Sequence, residues 1–349
     1  MAVDLSKLVY KRKIDLEELR GKTVAIDAYN VLYQFLSIIR QPDGTPLMGP
    51  SGEVTSHLSG LFYRTIEMVE KGIRPIYVFD GVPSSLKQRT IEARMNRKKE
   101  ALAEFEKAKQ AGDIELMRSK AMATTRITRE IAESGRRLLE LMGIGCIKAP
   151  SEGEAQASWM ASRGLVYAAG SQDYDTMLFG APRVVRNLTF SGRRKLPMKN
   201  IYVNVEPEMM ELDRTLNDLG ISRDQLIWIG ILIGTDFNEG INGVGPKTAL
   251  KIAKASKTIN DVEKYVGDKL KKSFELDIRE VEELFKKPEI REVEGSEVSK
   301  LLKLRCDPEA TVKFMCGEHG FSEERISKAL ERINSETMNV KQSGIDSWL

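Results

Sequence analysis

The chain has 349 residues, 41% of them hydrophobic and 30% charged, with a formal net charge of +3. That length predicts one large domain with an appended module, or two domains, around a substantial core, and the composition is that of a soluble globular protein. The longest strongly apolar run, LIWIGILIG at 226–234, is too short to cross a bilayer. The start, MAVDLSKLVY, carries an acid at Asp4 and no apolar segment ahead of a cleavage site, so an intracellular protein with no membrane partner is expected.

Three cysteines in no paired spacing argue against a disulfide framework and a thiolate zinc site, and two histidines leave little for imidazole ligation. A metal, if one is used, must be held mainly by oxygens, which selects a hard cation such as Mg²⁺ or Mn²⁺.

In chain order, TVAIDA (23–28), RPIYVFDG (74–81) and GLVYAAGSQDYD (164–175) read as strands, separated by helix-like stretches such as LFYRTIEMVEKG. This alternation predicts an α/β fold with a mostly parallel, helix-covered sheet. Residues 87–140 break the rhythm with a long polar helical tract interrupted at QAGD (110–113). After RVVRNL and IYVNV the chain turns helical from about residue 207. The segment GINGVGPKTALKIAK (240–254) reads as a tight turn with Pro246 opening a helix. The end, INSETMNVKQSGIDSWL, is polar and aperiodic and reads as a flexible tail, although a solvated tail has no evident reason to finish on Trp-Leu.

Acids recur where strands are expected to end: Asp27 after VAI, Asp80 after IYVF, and Asp173 and Asp175 after LVYAA. Glu152 and Glu154 open the helix in APSEGEAQA, and Asp236 follows the apolar run at 226–234. In parallel α/β sheets the strand C-termini share one edge where ligand sites form, so these seven acids are expected to converge. Each also has an ordinary reading: Ser151 to Glu154 fits a capping box, Asp173 fits strand-ending turn chemistry, and Asp27 or Asp80 fits a loop acid. Together, however, carboxylates ~4 Å apart repel by roughly 4 kcal/mol per pair at an effective dielectric near 20, so such a cluster needs protons or divalent cations. Two Mg²⁺ ions roughly 3.5–4 Å apart, held by shared carboxylates, would activate a water and stabilise the leaving oxygen of a phosphodiester. The expected role of Asp173 and Asp175 is therefore metal ligation. An aspartyl-phosphate hydrolase also uses Asp-x-Asp, but on its nucleophile strand, whereas here the pair follows a later strand.

The ordered set TVAIDAYNVLYQF, TSHLSGLFYRTIEMVEKGIRPIYVFDG, APSEGEAQA, GSQDYDTMLFG and LIGTDFNEGINGVGPKTAL resembles the flap endonucleases of the 5′-nuclease superfamily, over residues 1 to about 330 and the tail. The resemblance implies a hydrolase cutting 5′ flaps from branched DNA, with 5′ exonuclease activity, in replication and repair. Asp27, Asp80, Glu152 and Glu154 match the first metal group and Asp173, Asp175 and Asp236 the second, with shared ligands. Mg²⁺ is the expected ion and Mn²⁺ a substitute.

The resemblance further implies one nuclease domain, 1–330, comprising an N-terminal part (1–86), a helical arch (87–135) that passes a single-stranded flap, an internal part (136–215) and a helix-hairpin-helix and helical part (216–330). The tail is 331–349. Six basic residues against one acid lie between 87 and 99, and Lys87, Arg94 and Lys98 fall on one stripe if the segment is a helix. Such a stripe is usually a solvated face; in the family, Lys87 and Arg94 match residues contacting the scissile phosphate.

Tyr33 matches an aromatic that stacks on a base, and Thr55 lies where relatives recognise a 3′ flap. Gly240, Gly243, Gly245 and Lys247 match a helix-hairpin-helix grip on the DNA backbone, in this family often aided by a monovalent cation. Arg193, Arg194 and Lys195 form a basic loop offering a further duplex contact. Gln342, Ile345, Trp348 and Leu349 fit the peptide by which replication proteins dock on the sliding clamp, PCNA. A monomer is expected.

Two departures stand out. Ala2 replaces the family's usual Gly, so no contact is assigned to the N-terminus, and the chain stops at the clamp motif, as in archaeal-type enzymes. The competing expectation is a catalytically inactive DNA- and clamp-binding scaffold, which would have no use for seven acids in this pattern.

Overall fold

Short apolar runs become strands, and the longer amphipathic stretches between them cover both faces of the resulting sheet. The structure is a computed structural model that describes residues 3–113, 116, 120, 125–189, 192–195 and 202–332. The strands are β1 (Lys11–Lys13), β2 (Thr23–Asp27), β3 (Arg74–Phe79), β4 (Gly145–Lys148), β5 (Ala168–Gly170), β6 (Arg183–Arg186), β7 (Gly192–Lys195), β8 (Tyr202–Val205) and β9 (Glu208–Glu211). Seven of them form one sheet in the order β1-β9-β6-β5-β2-β3-β4, and β7 pairs with β8 separately. From β6 through β4 the neighbours are parallel, while β9 runs antiparallel to β6 and β1 antiparallel to β9.

Successive side chains of a strand point to opposite faces, and here both faces are buried, which is why the strands read as continuous apolar runs. Val24 and Ile26 of β2 with Tyr77 and Phe79 of β3 enter one core cluster, while Ala25, Ile76 and Val78 enter the other. The first cluster is closed by α1 (Ala28–Ile38), α2 (Ser56–Glu70) and α4 (Arg129–Leu141), with α3 (Gln88–Ala111) preceding α4 in the chain. In α2 the buried residues Leu58, Leu61, Phe62 and Ile66 recur at three- and four-residue spacing, the apolar stripe of a helix laid on a sheet. The second cluster is closed by α5 (Gly153–Ser162), α8 (Arg223–Ile233) and α9 (Pro246–Ala255), with the short α6 (Asp175–Leu178) between sheet and α8. Helix α7 (Leu212–Leu219) follows β9.

The long polar tract forms α3, which ends at Ala111 inside QAGD, with Gly112 at φ 69° supplying the left-handed residue that stops it. Lys87 lies in a preceding 3-10 turn, Ser85–Lys87, and not in the helix, so the whole-turn stripe linking it to Arg94 and Lys98 does not start from a helical residue. Helix α4 runs through the expected arch boundary at 135 and is anchored in the core by Ala132, Leu138 and Leu139. The basic segment at 192–195 is a strand of a two-stranded ribbon and not a loop. The expected clamp residues Gln342, Ile345, Trp348 and Leu349 lie outside the described residues, as does Ala2.

One close approach joins the ends of β3 and β4. Gly81 N–H donates to Ser151 O at 2.7 Å and Val82 N–H to Pro150 O at 2.9 Å. A Cβ on Gly81 would meet the Pro150 carbonyl oxygen at 2.1 Å, so only glycine lets the two backbones meet. Gly81→Ala is therefore expected to destabilise the fold by about 1–3 kcal/mol, the usual cost of overpacking, as read by denaturant unfolding; an unchanged midpoint would contradict this packing.

Candidate active site

Strand β2 is followed by β3 and then β4 on one side, while β5 adds on the other, so the β2–β5 boundary is where the strand order reverses. Ligand crevices in parallel sheets open at the carboxyl edge of that boundary. Asp27 is the last residue of β2, Asp80 follows β3, Glu152 lies in the turn after β4 with Glu154 in the first turn of α5, and Asp173 and Asp175 follow β5. Asp236 comes from just beyond α8. Its turn is tied by Thr235, whose hydroxyl donates to Asn238 Oδ1 at 2.8 Å and accepts from Phe237 N–H at 3.1 Å.

Local hydrogen bonds hold individual acids. Asp27 caps α1 by accepting from Asn30 N–H at 3.0 Å. Asp80 Oδ1 accepts from Gly153 N–H at 2.7 Å, at the positive end of α5. A Cβ on Gly153 would lie 2.8 Å from that oxygen, so the glycine makes room for the carboxylate. Thr176 Oγ1 contacts Glu154 Oε2 at 3.4 Å and donates to Asp173 O at 2.9 Å. The capping box that was the ordinary alternative at Ser151–Glu154 does not form: Glu152 is the N-cap, it makes no side-chain cap bond, and Glu154 belongs to the carboxylate group. The absence of contact expected at the N-terminus is also corrected, because Val3 N–H reaches Asp175 Oδ1 at 3.4 Å.

Electrostatics shows that the acids converge. Asp27 is pushed well above the ordinary aspartate value by burial and then by Asp80 and Asp173. Burial and Glu152 raise Asp80 to about 6. Glu154 is raised by burial, Asp175, Asp173 and Asp27, and Asp175 rises to about 8 through burial, Asp236 and Asp173. All seven are thus linked by mutual repulsion, and Asp175 is only 1% exposed. Among them sits one ammonium, Lys87, ion-paired with Glu152 and 3.8 Å from Asp236 Oδ2. Burial alone would lower the lysine pKa; Glu152, Glu154, Asp236 and Asp80 hold it above the ordinary value. Its Nζ also lies 5.7 Å from the Phe237 ring centroid.

The donor set is entirely carboxylate oxygen in a largely buried cluster of acids, which fits a hard divalent cation. Among the described residues no three of these side chains form a closed cation cage. Like-charge repulsion favours such spacing, and the Lys87 ammonium is the positive charge between them.

The remaining expected site residues lie in different settings. Tyr33 is 42% exposed on α1, whereas Thr55, the residue before α2, is 3% exposed. Gly240, Gly243, Gly245 and Lys247 lie in the turn between α8 and α9 and at the start of α9. There Gly243 has φ 79°, Gly245 is the N-cap, Pro246 opens the helix, and Lys247 is exposed. The side chains of Arg94, Arg193, Arg194 and Lys195 lie outside the description.

Two family models match: the XPG N-terminal domain over residues 2–101 and the XPG I-region over residues 143–236. Flap endonuclease 1 of Thermococcus onnurineus is 48% identical over 100% of this chain and 99% of its own length. The chain belongs to the flap endonuclease family. The solved flap endonuclease-1 from Methanococcus jannaschii is 39% identical with a TM-score of 0.73, covering 97% of this chain and 99% of that one. The catalytic core of Rad2 in complex with DNA substrate shares the fold, with a TM-score of 0.67 at 23% identity over 95% of this chain and 100% of that one.

In this flap endonuclease family member, no sequence pattern marks Val3, Gly153 or Thr176 as belonging to the site. Val3 and Gly153 act through backbone N–H groups, which any residue but proline carries. Thr176 could have been suspected only from its place beside Asp175.

A group whose folded pKa is raised binds more protons folded than unfolded. Asp80 and Asp175, raised from 3.8 to about 6 and about 8, therefore contribute stability that is present at acid pH and lost as pH rises through about 4 to 8. In chelator-treated protein this site's contribution to the thermal midpoint is expected to shrink from pH 5 to pH 8, while Mg²⁺ raises the midpoint more at pH 8 than at pH 5, because ligation needs deprotonated carboxylates. Asp175→Asn should flatten the pH dependence; an equal Mg²⁺ effect at both pH values would contradict the titration.

Proposed function

We propose that this chain is a divalent-metal-dependent, structure-specific nuclease that hydrolyses phosphodiesters of branched DNA at 5′ flaps, with 5′ exonuclease activity, in replication and repair. The observation that carries it is the mutual coupling of seven carboxylates beside Lys87 at the sheet's switch point, in a chain 48% identical over its full length to a flap endonuclease 1.

Asp27, Asp80, Glu152 and Glu154 would hold one Mg²⁺ or Mn²⁺, and Asp173, Asp175 and Asp236 a second, with ligands shared. Held there, two such cations would supply a water of lowered pKa and charge stabilisation for the leaving oxygen. The chain's own contribution is to hold the carboxylates at one sheet edge and partly dry, so that charges there act with little screening once a cation has displaced their protons. The Lys87 ammonium, which lies against Glu152 and Asp236, would meet charge that develops on the scissile phosphate, and Arg94 on α3 would serve the same phosphate.

Tyr33 would stack on a base, and the turn at 240–247 would grip the duplex backbone through N–H groups and Lys247, with a monovalent cation as a further aid. Arg193, Arg194 and Lys195 would add a phosphate contact. The tail residues Gln342, Ile345, Trp348 and Leu349 would dock on a sliding clamp. An intracellular monomer suits this role.

Cleavage of end-labelled single-flap, double-flap, nicked and hairpin DNA in Mg²⁺ tests the reading. Asp80→Ala and Asp173→Ala should abolish cutting while DNA binding stays within a few-fold, and Lys87→Ala should lower turnover by about 10²–10³-fold. Substantial cutting by either aspartate variant would overturn the site assignment; wild-type binding without cutting would favour a scaffold.

A further inference from the structure

Asn30 touches two of the clustered acids, although no sequence pattern marked it. It lies in the first turn of α1, where its backbone N–H donates to Asp27 Oδ1 at 3.0 Å and its side-chain Nδ2 donates to Asp173 Oδ2 at 2.9 Å. One helical turn on, Gln34 Nε2 donates to Asn30 Oδ1 at 2.8 Å. An asparagine amide can be turned over in place, and the carboxylate decides its orientation: the flipped form would aim a carbonyl oxygen at Asp173 Oδ2. Gln34 completes the order by giving Asn30 Oδ1 its donor, and its own Oε1 is a buried atom with no hydrogen-bond partner. Keeping such an acceptor unpaired carries a cost, so the Gln34–Asn30 bond is held against a penalty and not by default.

A carboxylate with a rotatable Cβ–Cγ bond presents its oxygens in many directions. A donor fixed on one oxygen sets the plane and leaves the other for a different partner. Lys87 can neutralise charge in the cluster, but its ammonium is also a rival for any cation. The Asn30 amide supplies a hydrogen bond to Asp173 with no net charge.

We propose that Asn30, oriented by Gln34, is a positioning residue that sets the Asp173 carboxylate for divalent-cation binding. The proposal rests on the reading of the carboxylate cluster as a cation site. It adds that the affinity of that site is tuned from α1 by a neutral amide relay, Gln34 to Asn30 to Asp173.

The test is calorimetric titration of MgCl₂ into chelator-stripped full-length protein without DNA, comparing wild type, Asn30→Leu, Gln34→Leu, Asp173→Ala and the Asn30→Leu/Asp173→Ala double variant. Asn30→Leu is expected to weaken Mg²⁺ binding by about 10-fold to 100-fold, the range typical for partners of metal ligands. Gln34→Leu should weaken it less. In the Asp173→Ala background Asn30→Leu should add nothing, because its effect runs through that carboxylate. Cleavage by Asn30→Leu should recover at saturating Mg²⁺ with an unchanged KM for flap DNA, which a general structural defect would not allow.

Unchanged affinity in Asn30→Leu, or equal losses with and without Asp173, would overturn the relay while leaving the cation site standing. If Asn30→Leu does not fold, Gln34→Leu alone decides, since wild-type affinity in that variant is the overturning result. Absence of any Mg²⁺ isotherm in wild type would sink the cation reading itself, and the relay with it.

Discussion

Repulsion among buried carboxylates is the constraint around which this structure is organised. At ~4 Å and an effective dielectric near 20, one like-charged pair costs roughly 4 kcal/mol, a large part of the 5–15 kcal/mol by which a protein is usually stable. The chain concentrates seven acids at one sheet edge nonetheless, and burial first, then the neighbouring carboxylates, raise the pKa values of Asp27, Asp80, Glu154 and Asp175. What resists the repulsion is mostly not charge. Strands buried on both faces fix where the acids emerge, Gly81 locks the ends of β3 and β4 together, and backbone N–H groups of Val3, Asn30 and Gly153 each bind one carboxylate oxygen.

The single ammonium among them gives the cluster a second property. Lys87 stands at the junction of the sheet edge and α3, in the 3-10 turn that opens the long helix. A displacement of α3 would therefore move the only positive side chain paired with Glu152 among the described residues. Position of that helix and electrostatic balance of the site are coupled through one side chain. Asn30 contributes from α1 as a neutral donor, which makes the two devices physically distinct: one sets charge, the other sets orientation.

Much of this was legible in the sequence because parallel strands covered on both faces read as apolar runs, and an acid at the end of such a run has nowhere to go but the carboxyl edge. Asp27, Asp80, Asp173 and Asp175 were visible in that way, and Pro246 marked the start of α9 through its fixed φ. Glu152 and Glu154 were ambiguous, since S-x-x-E is also a helix-start pattern; burial decided against the cap, a tertiary effect that local sequence does not encode. The strand at 192–195 was missed because a polar, basic composition suggests a loop, while pairing with β8 decides it. The contacts of Val3 and Asn30 join residues 172 and 143 positions apart, beyond any local pattern.

The central claim is that this carboxylate edge is built to hold divalent cations. The most direct measurement is anomalous diffraction from crystals of the DNA-free protein soaked in Mn²⁺. Peaks between the oxygens of Asp27, Asp80, Glu152 and Glu154 and those of Asp173, Asp175 and Asp236, with the Lys87 ammonium drawn away from Glu152, are the predicted result. Manganese bound only elsewhere on the surface, with Lys87 still paired to Glu152, would contradict it.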